Sequence, residues 1–180
     1  MSEVFMIGDL HLSHSNIIKY CYRPFSTIEE MNETLIENWN KIVGKEDKVF
    51  MMGDFALCGK EKIIEFGNRL KGRKTLILGN HEGASLKTYY EASFEMISKY
   101  PILFNEFFIL SHEPQYVQEN GVYANIFAHV HTNPMYKSVS SRSFCVSAER
   151  INYTPISFEI IKKQMEDYKD VEKEEDKEFL

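Results

Sequence analysis

Val4-Phe5-Met6-Ile7-Gly8-Asp9 is the stretch that decides the fold: four consecutive apolar residues end in a glycine and a carboxylate. An uninterrupted apolar run of this length suits a strand covered on both faces, as in a parallel sheet. The theme returns twice, as Val49-Phe50-Met51-Met52 before Gly53-Asp54 and as Thr75-Leu76-Ile77-Leu78 before Gly79-Asn80-His81. Helical patterns fill the intervals. A short one begins near His14 and runs through Ile17, Ile18 and Cys21 before Pro24. The next begins at Ser26 or Thr27, each followed three residues later by a glutamate (Glu29, Glu30), a capping-box pattern. Its apolar residues Ile28, Met31, Leu35, Trp39 and Ile42 recur at three- and four-residue steps, which gives it one inward face. A third helix spans Lys60 to Leu70. Strand, polar group at the carboxyl end, then helix is βαβ grammar, and in such sheets sites form beyond the carboxyl ends of the strands.

The second half changes character. Runs near Glu95–Ser98, Phe107–Leu110, Asn125–Ala128, Phe144–Val146 and Ile156–Ile160 read as strands joined by loops, with no long amphipathic helix until about Ile161. The expected architecture is therefore α/β, two packed mixed β-sheets flanked by helices. One domain should cover residues 1–165, followed by a charged, partly helical tail over 166–180. The 180-residue length is enough for a single core without disulfides.

The net charge of -6 is unevenly spread. From Glu166 onward eight acids face three lysines, so the tail carries -5 and the rest of the chain only -1. A near-neutral body lacks the basic stripe of a protein that grips long nucleic acid; small phosphorylated substrates or short single strands remain open. Three cysteines (Cys21, Cys58, Cys145) without C-x-x-C spacing read as free thiols in a reducing compartment. Glu3 and Asp9 interrupt the N-terminal apolar run, and no apolar run approaches the length of a spanning helix. The expectation is a cytoplasmic protein with no membrane partner.

Five of the six histidines sit at or just beyond the ends of apolar runs. The polar sets are Asp9-Leu10-His11, Gly53-Asp54, Gly79-Asn80-His81-Glu82, Ser111-His112 and His129-Val130-His131. In the D-x-H and H-x-H sets, one intervening residue puts both side chains on the same side of an extended segment. Imidazole and carboxylate suit borderline divalent metals, and an amide oxygen can complete the site. Taken singly, each set is common on surfaces and in turns; their order and strand placement together point to a metal site.

This series resembles the calcineurin-like metallophosphoesterases, and in length and motifs the small single-domain bacterial and phage members. The resemblance spans roughly Ile7 to Pro155. It implies the family's α/β sandwich and a hydrolase that attacks phosphate esters with a hydroxide held between two divalent cations. Asp9, His11 and His131 would bind the first cation, Asp54 would bridge both, and Asn80, His112 and His129 would complete the second. His81 would face the phosphate as the catalytic acid or charge stabiliser. Mn²⁺ is the first expectation for the metal, and a mixed N/O site also accepts Fe, Ni²⁺, Co²⁺ or Zn²⁺. Ala128 stands where the family's last motif has glycine, which is harmless if that backbone keeps φ negative. Phe55-Ala56 after Asp54 lacks the second aspartate and arginine of the large phosphatases, which argues against a phosphoprotein substrate.

Two further residues are candidate substrate contacts. His14 lies one helical turn after His11 and reads either as a phosphate contact or as a surface residue at a helix start. Arg23 could meet a phosphate with its planar fork, or form an ordinary surface ion pair. The expected activity is a phosphodiesterase on small or single-stranded substrates. The same ligands would also serve a phosphomonoesterase or nucleotide pyrophosphatase, and the fold also occurs as a non-catalytic interaction module.

Overall fold

The structure, a computed structural model, describes residues 2–118 and 120–178, with side chains described to residue 169 in the last helix. Strands β1 (Val4–Ile7), β2 (Lys48–Met52), β3 (Arg73–Ile77) and β4 (Phe94–Ser98) run parallel. With the antiparallel β9 (Ile156–Ser157) they form a five-stranded sheet in the order β4-β3-β2-β1-β9. A second sheet has the order β5 (Ile102–Phe104), β6 (Phe108–Leu110), β7 (Ala124–Phe127), β8 (Ser143–Cys145), with only β5 antiparallel to its neighbour. Helices α1 (Ser15–Tyr20), α2 (Ile28–Ile42), α3 (Lys60–Arg69) and α4 (Leu86–Glu91) belong to the first half of the chain, and α5 (Phe158–Glu178) ends it. These are the two mixed sheets with flanking helices that the sequence implies.

The continuous apolar strands are explained by what covers each face. Phe5 and Ile7, Val49 and Met51, and Leu76 pack into a core with α2 and α3, around Trp39, Leu35 and Phe66. The alternate residues Met6, Phe50, Met52 and Ile77 pack against Leu110, Ile126 and Phe144 of the second sheet and Val146 just beyond it. Period-two alternation is present, but both faces are buried, so no polar residue marks it. The α2 start follows the capping pattern: Thr27 Oγ1 accepts from the Glu30 N–H at 3.1 Å, and the Glu30 carboxylate accepts from the Ser26 N–H at 2.7 Å.

Several local expectations need correction. The strand expected over Ile156–Ile160 ends at Ser157, and Phe158 already opens α5. The reason is helical spacing: Phe158, Ile161 and Met165 are all buried in the inter-sheet core. Helix α4, strand β5 and a 3-10 turn at Ala148–Ile151 were not expected, each being too short to show a period. Helix α5 runs without a break across 165/166, so no element boundary separates the acidic segment; its side chains from 170 onward lie outside the described residues. Among the described residues no helix is long and apolar enough to cross a membrane.

The two sheets join at Gly8. Its N–H donates to Val146 O at 2.9 Å, and its carbonyl accepts from the Ala148 N–H at 3.1 Å. A Cβ at Gly8 would lie 2.4 Å from Ala128 Cβ and 2.9 Å from Met52 O. Ala128, fully buried and absent from the positive-φ residues, thus occupies space that Gly8 leaves, which accounts for alanine there. Gly8→Ala should consequently overpack this junction and destabilise the fold by about 1–3 kcal/mol. Thermal unfolding checks this; a melting temperature equal to wild type would show that the sheets can part without cost.

Candidate metal centre

The residues that follow β1, β2, β3, β6 and β7 meet in one place. Ligand atoms of Asp9, His11 and His131 lie within 4.8 Å of one another, as do those of Asp54, His112 and His129. Asp54 links the two groups: its Oδ2 is 3.3 Å from His11 Nε2 and 3.6 Å from His112 Nε2. Asn80 Oδ1 stands 3.0 Å from His112 Nε2, and His129 Nδ1 is also 3.0 Å from that nitrogen. Nitrogen lone pairs and amide or carboxylate oxygens thus face one another, an arrangement that a shared cation would reconcile.

Backbone geometry produces this convergence in a way the sequence did not suggest. The D-x-H and H-x-H sets are not extended. Asp9 (φ 55°), His11 (φ 50°), Asp54 (φ 54°), His129 (φ 68°) and His131 (φ 47°) are all left-handed. Each such non-glycine residue costs on the order of 1–3 kcal/mol and persists only where its surroundings over-determine it. Here hydrogen bonds do so. The N–H groups of Asp9 and His11 donate to Gly53 O (3.0 Å) and Asp54 O (2.8 Å). The Glu82 carboxylate accepts from the N–H groups of Asp54 (3.1 Å), Phe55 (2.7 Å) and Gly79. Gly53, at φ 77°, lets His112 and Gly79 approach where a Cβ would lie 2.4 Å from His112 Nδ1. His112 Nδ1 is 2.8 Å from Met52 O, and donation from that atom leaves Nε2 with a lone pair for a cation.

The electrostatics of most of these groups fit a cation. His131 is the exception: against its burial, the contacts with Cys21, Glu149 and Asp9 push the ring up to about 10, so a cation there must displace a proton. Asp9 is fully buried, and burial pushes its carboxyl up to about 6. Its Oδ2 accepts from the His129 N–H at 2.8 Å, while Oδ1 has no hydrogen-bond partner. His11 Nε2 is likewise buried without one, and burial lowers the ring to about 4, keeping it neutral and ready to donate electrons. Burial would raise Asp54 too, but His11, His112 and the His81 N–H outweigh it and hold Asp54 at about 2. His129 is lowered by burial and by neighbouring His112. An Asp9 oxygen without a hydrogen bond, near an imidazole nitrogen that meets only the Asp54 carboxylate at 3.3 Å, is what a divalent cation would satisfy.

The remaining candidates fall into two groups. His81 and His14 stand at the mouth: the His81 ring is 5.1 Å from His11 edge-on, His14 is 5.8 Å from His81, and His14 Nδ1 lies 3.3 Å from His11 Nδ1. His14 caps α1 rather than lying in it. Arg23 is placed otherwise than expected. It is 4% exposed, buried against the backbone that carries Asp9. Its guanidinium makes four hydrogen bonds, to Asp9 O (2.6 Å), Leu10 O (2.8 Å), Met31 Sδ (3.4 Å) and Glu149 Oε1, and an ion pair with that carboxylate. A guanidinium buried in these contacts is engaged within the fold, and neither the substrate contact nor a surface ion pair describes it. Glu149 itself escaped the sequence reading. Its Oε1 is 3.0 Å from His131 Nδ1, and beside it Arg150 caps the carbonyl of His131. The available signal was that Ser147-Ala148-Glu149 follows the apolar run Phe144–Val146 in the same strand-then-polar pattern as the candidate ligands.

Over residues 3–178 the sequence matches the calcineurin-like phosphoesterase family. It is 37% identical over 177 residues to an uncharacterized protein of Methanocaldococcus jannaschii, covering 92% of this chain and 93% of that one. The Gene 66 protein of Mycobacterium phage L5 is 34% identical over 86 residues, 46% of this chain and 41% of the phage protein. The fold is similar to the crystal structure of a protein of unknown function from Aquifex aeolicus, with a TM-score of 0.69 and 25% identity over 91% of this chain and all of that one.

Asp9 generates a stability prediction with a definite sign. A carboxyl raised from 3.8 to about 6 in the fold destabilises it once ionised. The penalty grows as pH rises from about 4 to 6 and is constant above, where it amounts to about 3 kcal/mol. Asp9→Asn should therefore raise the melting temperature of metal-free protein at pH 8, and should reduce the further rise that Mn²⁺ gives wild type. Differential scanning calorimetry with and without Mn²⁺ checks both; an unchanged Mn²⁺ increment would remove Asp9 from the ligand set.

Proposed function

The chain belongs to the calcineurin-like phosphoesterase family of metal-dependent phosphoester hydrolases, and we propose that it is a dinuclear phosphodiesterase acting on small or single-stranded substrates. The observation that carries this reading is Asp54 Oδ2, which stands within 3.6 Å of a histidine nitrogen from each ligand group. In this reading Asp9, His11 and His131 hold one cation, Asn80, His112 and His129 hold the other, and Asp54 serves both. Bound cations, Mn²⁺ by first expectation, would neutralise phosphoryl oxygens and acidify a water that acts as nucleophile.

The chain's own residues then divide the work. Asp54 accepts from the His81 N–H at 3.0 Å, so the bridging carboxylate and the loop carrying His81 are set by one hydrogen bond. That contact holds the His81 ring at the open side of the ligands, where it can give a proton to the leaving oxygen. His14, beside it, would meet the phosphate's other oxygens. Room for two ester arms supports a diester. One hollow of about 340 Å³ is lined by His81, Ala56, Leu57, Cys58 and Ala84, and a separate one of about 240 Å³ by Asn80, His112, Lys99 and Tyr100.

Two outcomes test this function. With Mn²⁺ and a model phosphodiester, Asp54→Asn and Asn80→Ala should abolish turnover while circular dichroism stays native; full activity after exhaustive chelation would end the dinuclear account. His81→Ala should lower kcat by ~10²–10⁴-fold with two metals still bound by elemental analysis. Loss of one metal would make His81 a ligand instead.

A further inference from the structure

The first cation position is built differently from the second, and the difference lies in residues that touch neither a substrate nor a cation. Arg23 and Glu149, 126 residues apart, form a pair whose side chains are 0% and 3% exposed. Arg23 grips the carbonyls of Asp9 and Leu10, the turn that carries Asp9 and His11 in left-handed conformation. Glu149 Oε1 accepts from Arg23 Nε (2.9 Å) and forms an ion pair with Nη2 (2.7 Å), and its contact with His131 Nδ1 leaves Nε2 as the nitrogen that a neutral ring would offer a cation. Arg150, next in sequence, donates to the carbonyls of His131, Asn133 (2.8 Å) and Tyr136 (2.8 Å), and so clamps the second left-handed turn. Among the described residues the second position has no such charged pair, although its candidate ligand His129 is tied to the first by an N–H donated to Asp9 Oδ2. His112 is oriented by Met52 O, and the backbone of Asp54 and Gly79 by Glu82.

Resting on the dinuclear reading, we infer that Arg23 and Glu149, with Arg150 beside them, are positioning residues chiefly for the first cation, and reach the second only indirectly through the His129 N–H that Asp9 Oδ2 accepts. They set its three private ligands, Asp9 and His11 through the backbone and His131 through its ring. A rival use of the same residues fails on charge. Cys21, His131 and Glu149 also present ligand atoms within 4.8 Å of one another, but the Arg23 guanidinium 2.7 Å from Glu149 opposes a cation there. The pair is therefore an orienting device and not a third metal site.

Equilibrium dialysis against Mn²⁺, with elemental analysis, tests this on the intact protein. Wild type should bind two ions. Glu149→Gln, which keeps the shape but removes the charge that makes Oε1 a strong acceptor for both Arg23 and His131, should retain one with near-wild-type affinity and weaken the other by ~10–100-fold. Arg23→Lys should do the same, because one ammonium cannot span both carbonyls and the carboxylate. Adding Asn80→Ala to Glu149→Gln should weaken the remaining ion, whereas adding Asp9→Asn should leave it bound. Two ions of wild-type affinity in Glu149→Gln would overturn the inference, as would selective loss of the ion that Asn80→Ala removes. Should Arg23→Lys fail to fold, Glu149→Gln decides alone. Fewer than two ions in wild type would overturn the dinuclear reading itself and this inference with it; two in wild type and two unchanged in the variants overturn the positioning role only.

Discussion

Two aspartate carboxylates placed out of water at the ends of neighbouring parallel strands set the terms for the rest of this molecule. Asp9 and Asp54 are 0% and 2% exposed. Removing a carboxylate from water costs several kcal/mol unless charge or hydrogen bonds replace the solvent. Asp54 is surrounded by such partners and remains acidic, while Asp9 has one N–H and is pushed up to about 6. The imbalance is local to one side of the site, where His11 Nε2 is also buried without a hydrogen bond. Burial that holds the Asp9 carboxyl up to about 6 gives up stability that a bound divalent cation would return.

Backbone strain follows from the same constraint. Short strands deliver the carboxylates, and here the chain turns back after the strands to bring side chains two residues apart together. Left-handed residues at 9, 11, 54, 129 and 131 make those turns, and side chains outside the ligand set hold them. Glu82 binds three N–H groups, while Arg23 and Arg150 between them bind five carbonyls. Anions cap exposed donors and cations cap exposed acceptors, so each turn is satisfied by the charge that matches it. The glycines at 8 and 53 complete the arrangement by letting the sheets and His112 close in beneath.

Much of this was legible in the sequence because it is local. The runs 4–7 and 49–52 became β1 and β2 nearly residue for residue, since a strand buried on both faces must be continuously apolar. The polar groups at strand ends were readable because βαβ order places them on one edge. Arg23 was misplaced because exposure is not a local property: nothing near Pro24 announces a carboxylate 126 residues later. Glu149 was invisible for the same reason, and the H-x-H spacing was compatible with an extended segment until the φ angles were known. Short elements such as α4, with six residues, have too few turns to display a period.

Diffraction at the Mn absorption edge from crystals grown with Mn²⁺ tests the central claim most directly. The account predicts two anomalous peaks about 3.5–4 Å apart, one against Asp9, His11 and His131, the other against Asn80, His112 and His129, with Asp54 contacting both. A single peak, or a peak between Cys21 and Glu149, would contradict it.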